Sequence, residues 1–421
     1  MENDHKIQIL PPDLANKIAA GEVVDRPASV VKELVENAID AGANEITMIL
    51  QTGGTELIKV VDNGVGMDRD NLLLAFERHA TSKIKSAVDL EAIRSLGFRG
   101  EALASIASVS RAEVKSVPRG ETVGTQLLLD GGQIVDEKPA GGVPGTSVAI
   151  KTLFFNTPAR RKFLKADSTE YRHCLTTANR FALSYPAIQF TLVHNGVVIW
   201  EVKAQSLDDR IYAILGNRLK AKLIEVNDDS GAVQINGFVG TQDTVRRNSG
   251  EQYLFLNGRF ITDRSLNHAV ISGYGEILAH GGYALYVLNL TIDPTRVDVN
   301  VHPTKMQVRF ADDRLIYSLL RGAVKRSLRS ANVIPEFDRR EVGGWPAGTE
   351  QPISAESVDS ATFPPNHQQG TSLPNADEFF PAHLRKQTES GQMRFEIPSR
   401  RDDDSWLTEK PQQAQEEHRQ S

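Results

Sequence analysis

The chain of 421 residues contains a single cysteine, Cys174. One thiol rules out an intrachain disulfide and a cysteine-based structural zinc site, and it fits a reducing compartment. The start, Met1-Glu2-Asn3-Asp4-His5, has no basic stretch and no long apolar core, which argues against a secretory signal. No apolar run reaches the ~18–20 residues that a membrane helix needs. The expectation is a cytoplasmic protein with no membrane partner. Internal repeats are lacking. No segment reads as the strand–glycine-loop–helix of a P-loop, so Walker-type phosphate chemistry is unsupported.

Charge is present but uneven. The formal net charge is −6, yet residues 334–421 hold 16 acidic and 9 basic side chains against 38 and 39 in the first 333. Within the latter, 211–333 carry 15 basic and 11 acidic residues. That mild excess permits nucleic-acid contact and suits an ordinary solvated surface equally well. Nine of the 19 prolines lie beyond 333, among Gln, Ser, Glu and Asp with little apolar periodicity. This composition predicts a disordered segment. Trp406, after Asp402-Asp403-Asp404, reads either as a short docking motif or as an incidental aromatic in a solvated tail.

Before 334 the periodicity alternates. It predicts helices over 14–24, 28–41, 70–78, 100–108 and 168–183, and strands over 45–51, 56–61, 111–117, 124–130 and 146–151. A turn at Gly53-Gly54 separates two of the strands, and 187–202 reads as a hairpin turning at Asn195-Gly196. The expected fold class is α+β, with helices on one face of a largely antiparallel sheet. A break near 204–210 leads to a second unit. Its strands are expected near 222–227, 232–240, 252–256, 283–291 and 306–310, and its helices near 262–278 and 312–330.

Four short stretches carry chemistry. At ~100° per residue, Ser29, Glu33, Glu36, Asn37 and Asp40 share one arc of the helix after Pro27, opposite Val30, Val31, Leu34, Val35, Ala38 and Ile39. Glu33 and Asn37 are i,i+4 neighbours. A carboxylate beside a carboxamide can activate water and hold a hard cation through oxygen, although any amphipathic helix has such a wet face. Asp62-Asn63-Gly64-Val65-Gly66 follows a strand. An aspartate there can accept from an exocyclic amine, or the stretch is a plain Asx/Gly turn. Gly97-Phe98-Arg99-Gly100-Glu101-Ala102-Leu103 joins a glycine hinge to a helix start, which favours phosphate. Residues 69–101, through Lys83, suit a mobile cover. Gly145-Thr146-Ser147 leads a strand and says little alone.

In this order and spacing the four stretches resemble the nucleotide-binding fold shared by gyrase, Hsp90, histidine kinases and MutL. The wording of Ile18-Ala19-Ala20-Gly21-Glu22-Val23-Val24, Arg26–Asn37, Arg78–Lys83, Gly97–Leu103 and Phe155–Phe163 is similar to MutL-type mismatch repair proteins. So are Asn257-Gly258-Arg259 and Val297–Lys305. The resemblance covers roughly residues 7–333. It implies a GHKL-type ATPase sandwich over 1–210 with a lid at about 69–101. It further implies an α/β transducer of ribosomal S5-like type over 211–333 that contacts DNA, and a disordered linker over 334–421.

The resemblance also implies roles. Glu33 would be the general base, and Asn37 the ligand of Mg²⁺ on ATP. Asp62 would read the adenine amine, with Gly66 and Thr146 completing the base pocket. Gly97, Phe98, Arg99 and Gly100 would wrap the phosphates, with Lys83 and Asn63 nearby, and Lys305 would reach the γ-phosphate. Arg259 and Arg264 would meet DNA phosphates without sequence preference, with Arg246, Arg247 and Arg326 as weaker candidates. The implied cycle is a slow ATP-driven clamp: the lid and an N-terminal arm (about 1–24) order, two N-terminal units form a homodimer, and hydrolysis resets them. Implied partners are a mismatch-recognition protein of the MutS type and a downstream repair nuclease and helicase. Family members usually continue into a C-terminal dimerisation domain, in some with an endonuclease site. This sequence ends at Ser421 in linker-like residues, so no nuclease site is assignable and the chain reads either as a truncated form or as lacking that domain. A non-enzymatic scaffold with a decayed site would have lost Glu33, Asn37 or Lys305, and all three are present. A type II topoisomerase subunit would need a cleavage core downstream, and a histidine kinase a phospho-accepting helix before Asp25.

Overall fold

The computed structural model describes residues 20–21, 23–84, 95–97, 100–247, 250–278, 282–299 and 307–331, all within one contact unit, Met1–Val342. The expected tail and most of the N-terminal arm lie outside the described residues.

Period-two burial builds the first layer. β1 (Glu45–Gln51) buries Ile46, Met48 and Leu50, and β2 (Leu57–Asp62) buries Ile58 and Val60. With β3 (Arg111–Val117), β4 (Val123–Asp130), β5 (Gln133–Gly141), β6 (Gly145–Lys151), β7 (Gln189–His194) and β8 (Val197–Val202), they form an eight-stranded sheet ordered β5-β4-β3-β6-β2-β1-β7-β8. Every neighbouring pair is antiparallel except β1 with β7.

Helices cover one face of this sheet. They are α1 (Pro27–Asp40), α2 (Arg69–Leu74), α3 (Ala102–Ser108) and α5 (Asp167–Ser184), while α4 (Pro158–Phe163) adds nothing to the core. Pro27 suits the first turn of α1. Gly42, at φ +71°, lets the chain leave it. Val30, Val31, Leu34, Val35 and Ala38 of α1 meet Cys174, Ala178 and Ala182 of α5 in the core beneath the sheet. Each large aliphatic side chain buried there contributes about 1.5–3 kcal/mol. The opposite edge of α1 is thereby turned to the rim, which fixes where Glu33, Asn37 and Asp40 stand.

The second layer is buried on both faces. β9 (Leu223–Asp229), β10 (Val233–Gly240), β11 (Gln252–Leu256), β12 (Arg259–Ile261) and β13 (Tyr286–Ile292) are ordered β12-β11-β13-β10-β9, with β11 and β13 parallel. α6 (Leu207–Leu215) precedes them, and α7 (Arg264–Tyr274) and α8 (Asp313–Ser330) pack on one face. A Cβ at Gly273 would lie 2.8 Å from Val324 Cβ, so glycine sets the closeness of α7 to α8. On the other face Tyr253, Phe255, Leu285 and Val287 meet Leu183 of α5 and Ile211 of α6. The unbroken apolar run Tyr253–Leu256 is the sequence mark of such a doubly covered strand. A short pair, β14 (Val297–Asp298) with β15 (Arg309–Phe310), stands beside it.

Several elements differ from expectation. β5, α4, β12 and β14 were not predicted. β5 exposes nearly every residue and α4 buries none, so neither carries a periodic apolar signal. The break expected at 204–210 instead enters α6, and the 210/211 boundary falls inside that helix.

Arg210 holds the junction together. It is fully buried and donates to the carbonyls of Ala182 (2.6 Å), Tyr185 (3.4 Å), Pro186 (2.9 Å), Ile188 (2.9 Å) and Lys203 (2.7 Å). These include carbonyls at the C-terminal end of α5, where positive charge is favoured. Burial pulls its guanidinium down to about 10, still charged at neutral pH. We predict that Arg210→Met, which leaves the acceptors without a donor, destabilises the fold by about 3–5 kcal/mol. The check is a lower urea midpoint at unchanged slope.

Candidate functional site

The site forms where the end of β2 meets the C-terminal end of α1. Asp62 pairs with Thr146 across β2–β6. One of its carboxylate oxygens accepts from the Gly64 amide at 2.9 Å. Burial raises the Asp62 pKa, partly offset by the amides of Gly64 and Thr146. Thr146 Oγ1 lies 2.9 Å from Ser116 Oγ, which accepts from the Met67 amide at 2.8 Å. Gly66 has φ +67°, and a Cβ there would come within 2.0 Å of the Val117 carbonyl. No other residue fits that approach. Val65 donates to the Ala41 carbonyl at 3.0 Å, so this loop is seated on the end of α1.

On α1, Asp40 gathers the next group. Its carboxylate, 10% exposed, lies 2.6 Å from Lys83 Nζ. It also accepts the amides of Leu96 at 2.9 Å and Gly97 at 3.0 Å. Lys83 donates as well to Asn37 Oδ1 at 2.8 Å. A Cβ on Gly97 would lie 3.0 Å from Lys83 Nζ. Gly100, at φ +64°, closes against the Ala80 carbonyl, and His79 Nδ1 lies 3.2 Å from Glu101 Oε1. Residues 79–83 therefore meet 95–97 and 100–101 at the rim of α1. One turn earlier, Lys32 Nζ bridges Glu33 at 2.7 Å and Glu36 at 2.9 Å. Burial alone would lower the Lys32 pKa, but the two glutamates raise it.

The structure thus brings Asn37, Lys83 and Gly97 together on one rim, and Asp62, Gly66 and Thr146 beside it. Lys305, Phe98 and Arg99 lie outside the described residues. Two placements depart from expectation. Asn63 turns away: its Oδ1 accepts the amides of Asn44 (2.9 Å) and Glu45 (3.0 Å), and its Nδ2 donates to Asn44 Oδ1 (2.6 Å). It braces the link from α1 to β1. Arg259, expected at a DNA surface, is buried and donates to the Ser95 carbonyl. Of the other arginines, Arg264 is exposed at the start of α7, Arg246 pairs with Glu251 and Arg326 with Asp228, and Arg247 is exposed. Sequence reasoning placed Asp40 on the polar arc without giving it a role, and it passed over Ser116. Asp40 sits at i+3 from Asn37 on the same arc, which was the available signal. Ser116, one hydroxyl in an ordinary strand, gave none.

Comparison with known proteins gives the family. Residues 25–142 match the model of histidine kinase-, DNA gyrase B- and HSP90-like ATPases, and 211–329 match that of the DNA mismatch repair protein C-terminal domain. The DNA mismatch repair protein MutL of Flavobacterium johnsoniae is 42% identical over 382 residues, 90% of this chain and 58% of that protein. The chain belongs to the MutL mismatch repair family. It spans somewhat over half the length of the curated relatives it matches. A MutL ATPase domain of Aquifex aeolicus, complexed with ADP, superposes with TM-score 0.50 at 28% identity, over 71% of this chain and 98% of that one. The N-terminal domain of a DNA repair protein gives TM-score 0.65 at 24% identity, over 76% and 99%, which speaks for the fold alone. The fold is accordingly that of the MutL ATPase region, a GHKL-type layer with a second α/β layer. No helix among the described residues of this MutL-family chain is long and apolar enough to cross a membrane.

Asp40 generates a prediction of its own. Asp40→Asn removes the charge that holds Lys83 and leaves one carboxamide oxygen for two amides. Hydrogen exchange at Leu96 and Gly97 should accelerate by about tenfold, the loss of one charge-assisted bond. Exchange measured by mass spectrometry or NMR at unchanged rates would refute the anchoring role.

Proposed function

We propose that this MutL-family chain binds ATP at the rim of α1 and hydrolyses it slowly, as the switch of a DNA mismatch repair clamp. The observation that carries the reading is the pairing of the Lys83 ammonium with Asn37 Oδ1 and Asp40, directly below the Gly97 amide. A cation, a carboxamide oxygen and a glycine backbone are thereby gathered at the end of α1 on which the loop after Asp62 is seated. The ADP complex of the Aquifex aeolicus ATPase domain supports it.

In this reading the Asp62 carboxylate accepts from the adenine amine, and Gly66, Thr146 and Ser116 shape the pocket. Gly97 and Gly100, with Phe98 and Arg99, wrap the phosphates. Asn37 Oδ1 already receives a cation, so a hard dication fits there. Mg²⁺ is held by few protein oxygens and completes its shell with water and phosphate. Among the described residues no group of three His, Cys, Asp or Glu forms a separate metal cage. Asn37 would hold Mg²⁺, which when bound would supply charge neutralisation on the triphosphate, and Lys83 beside it would offer its ammonium to phosphate oxygen. Glu33 takes a proton from the water that attacks the γ-phosphorus, and a β-phosphate oxygen leaves with ADP. Lys32 pairs with Glu33 and holds its carboxylate in place before the attack. Lys305 contacts the γ-phosphate in the same reading.

The remaining cycle follows from this chemistry and from family membership. Residues 1–210 form the ATP-binding domain, 211–333 the transducer and 334–421 a linker. Two chains dimerise on ATP, exposed Arg264 contributes to DNA binding without sequence preference, and the clamp signals from a MutS-type recognition protein to a nuclease and helicase in the cytoplasm.

Two outcomes test the reading. Glu33→Ala should retain ATP binding and form an ATP-dependent dimer by light scattering, with turnover abolished. Wild-type hydrolysis in that variant would refute the base assignment. The second test is pH. Because burial raises the Asp62 pKa, its acceptor form is lost in less acid than an ordinary aspartate needs. Affinity for a non-hydrolysable ATP analogue should fall on acidification over a pH window lying above that of an ordinary aspartate. In Asp62→Asn the affinity should be lower and flat over the same window. The same shift makes the empty fold gain stability as pH falls through that raised pKa, so affinity and stability should move in opposite directions.

A further inference from the structure

The turn between β11 and β12, Asn257-Gly258-Arg259, belongs to the second layer but is docked on the first. Its own geometry is fixed from behind. Asn257, at φ +49°, exchanges side-chain hydrogen bonds with the backbone of Ile292, at 2.8 and 3.0 Å. Its amide donates to the Leu290 carbonyl at 2.9 Å. In front, Ser184 Oγ donates to the Gly258 carbonyl at 2.7 Å. Gly258 has φ +82°, and a Cβ there would lie 2.4 Å from the Tyr185 hydroxyl. The next residue along, Phe260, lies under the Arg180 guanidinium at 3.7 Å. Arg259 itself projects into the junction, 8% exposed, and donates to the Ser95 carbonyl.

Ser95-Leu96-Gly97 is consequently gripped from two sides. Asp40 of the first layer holds the amides of Leu96 and Gly97, and Arg259 of the second holds the carbonyl of Ser95. A cavity of about 60 Å³ behind this contact is lined by Arg259, Leu96, Lys32 and Glu36. The Tyr185 hydroxyl, pushed up by burial, feels Arg259, Asp40 and Glu36 together, so these groups converge on one spot.

We infer that Arg259 is a positioning residue for the phosphate-binding backbone, acting on Ser95–Gly97 from the second layer, and not a contact to DNA. The inference rests on the ATP site proposed above for its functional consequence, though not for the contact itself. A buried guanidinium pointed at a backbone carbonyl of the first layer has no face left for a polyanion. Its charge strengthens the bond, which is worth roughly twice a neutral one. Lysine can keep one donor there but not the fixed fork.

The test uses the full chain with Arg259→Ala, Arg259→Lys and, as the DNA comparator, Arg264→Glu. Hydrogen exchange at Leu96 and Gly97 is read without nucleotide. Affinities for a non-hydrolysable ATP analogue and for duplex DNA are read in parallel. Arg259→Ala should speed exchange at Leu96 and Gly97 and weaken the analogue by about tenfold, the size of one charge-assisted bond, with DNA affinity kept. Arg259→Lys should recover part of both losses. Arg264→Glu should do the reverse, weakening DNA and sparing the analogue. Unchanged exchange at Leu96 and Gly97 in Arg259→Ala would overturn the inference, as would loss of DNA affinity with analogue binding intact. If exchange responds to Arg259 while the unaltered chain fails to bind the analogue, the positioning contact stands and the ATP assignment falls.

Discussion

The site depends on one buried carboxylate. Asp40 satisfies the Lys83 ammonium and two backbone amides at once. Unpaired carboxylates at this depth are costly, and each of these donors would be costly to orphan in turn. The arrangement closes because α1 is held rigidly by the core beneath the sheet, so Asp40 arrives at a fixed height. Asn37, one turn back, shares Lys83 with it. The edge of one amphipathic helix therefore positions a carboxamide, a lysine and a stretch of glycine backbone that come from three distant parts of the chain.

The β2–α1 corner meets a second constraint by sterics. Gly66 must approach Val117 so closely that any side chain would collide, and Gly145 must likewise pass the Asp62 carbonyl, 2.1 Å from where a Cβ would stand. These contacts bring the loop after Asp62 against the ends of β3 and β6. They leave the Asp62 carboxylate with two amides for company and a raised pKa. The pocket is shaped by where backbone is allowed to come near backbone, and the polar side chains fill what remains.

Much of this was legible in the chain, and the misses have physical causes. α1, β1, β2 and α5 bury one face, so their periodicity located them within a residue or two. β5 has no buried face and contains Pro139, so pairing with β4 alone makes it a strand. The glycines at 66 and 100 were readable because no other residue permits those approaches, and Gly97 because it opens the same short stretch as Gly100. Partners were harder. Asn63 and Arg259 sit in recognisable stretches, yet one braces Asn44 and Glu45 and the other reaches Ser95. A stretch of sequence fixes which donors exist, while the partner across 164 positions of chain depends on how two layers dock.

Electrostatics shapes the rim near which these layers meet. Glu33, Glu36 and Asp40 place three carboxylates on one edge of α1, a poor surface for any phosphate. Lys32 offsets the first two and Lys83 the third. Arg259, brought in by the second layer, adds a further buried positive charge beside Glu36 and Leu96. Lys32 and Lys83, held this way, are already largely desolvated and oriented, so an anion arriving at the rim meets them without the reorganisation that exposed lysines would require. The carboxylates, which at first sight oppose phosphate binding, are what keep those cations at the rim.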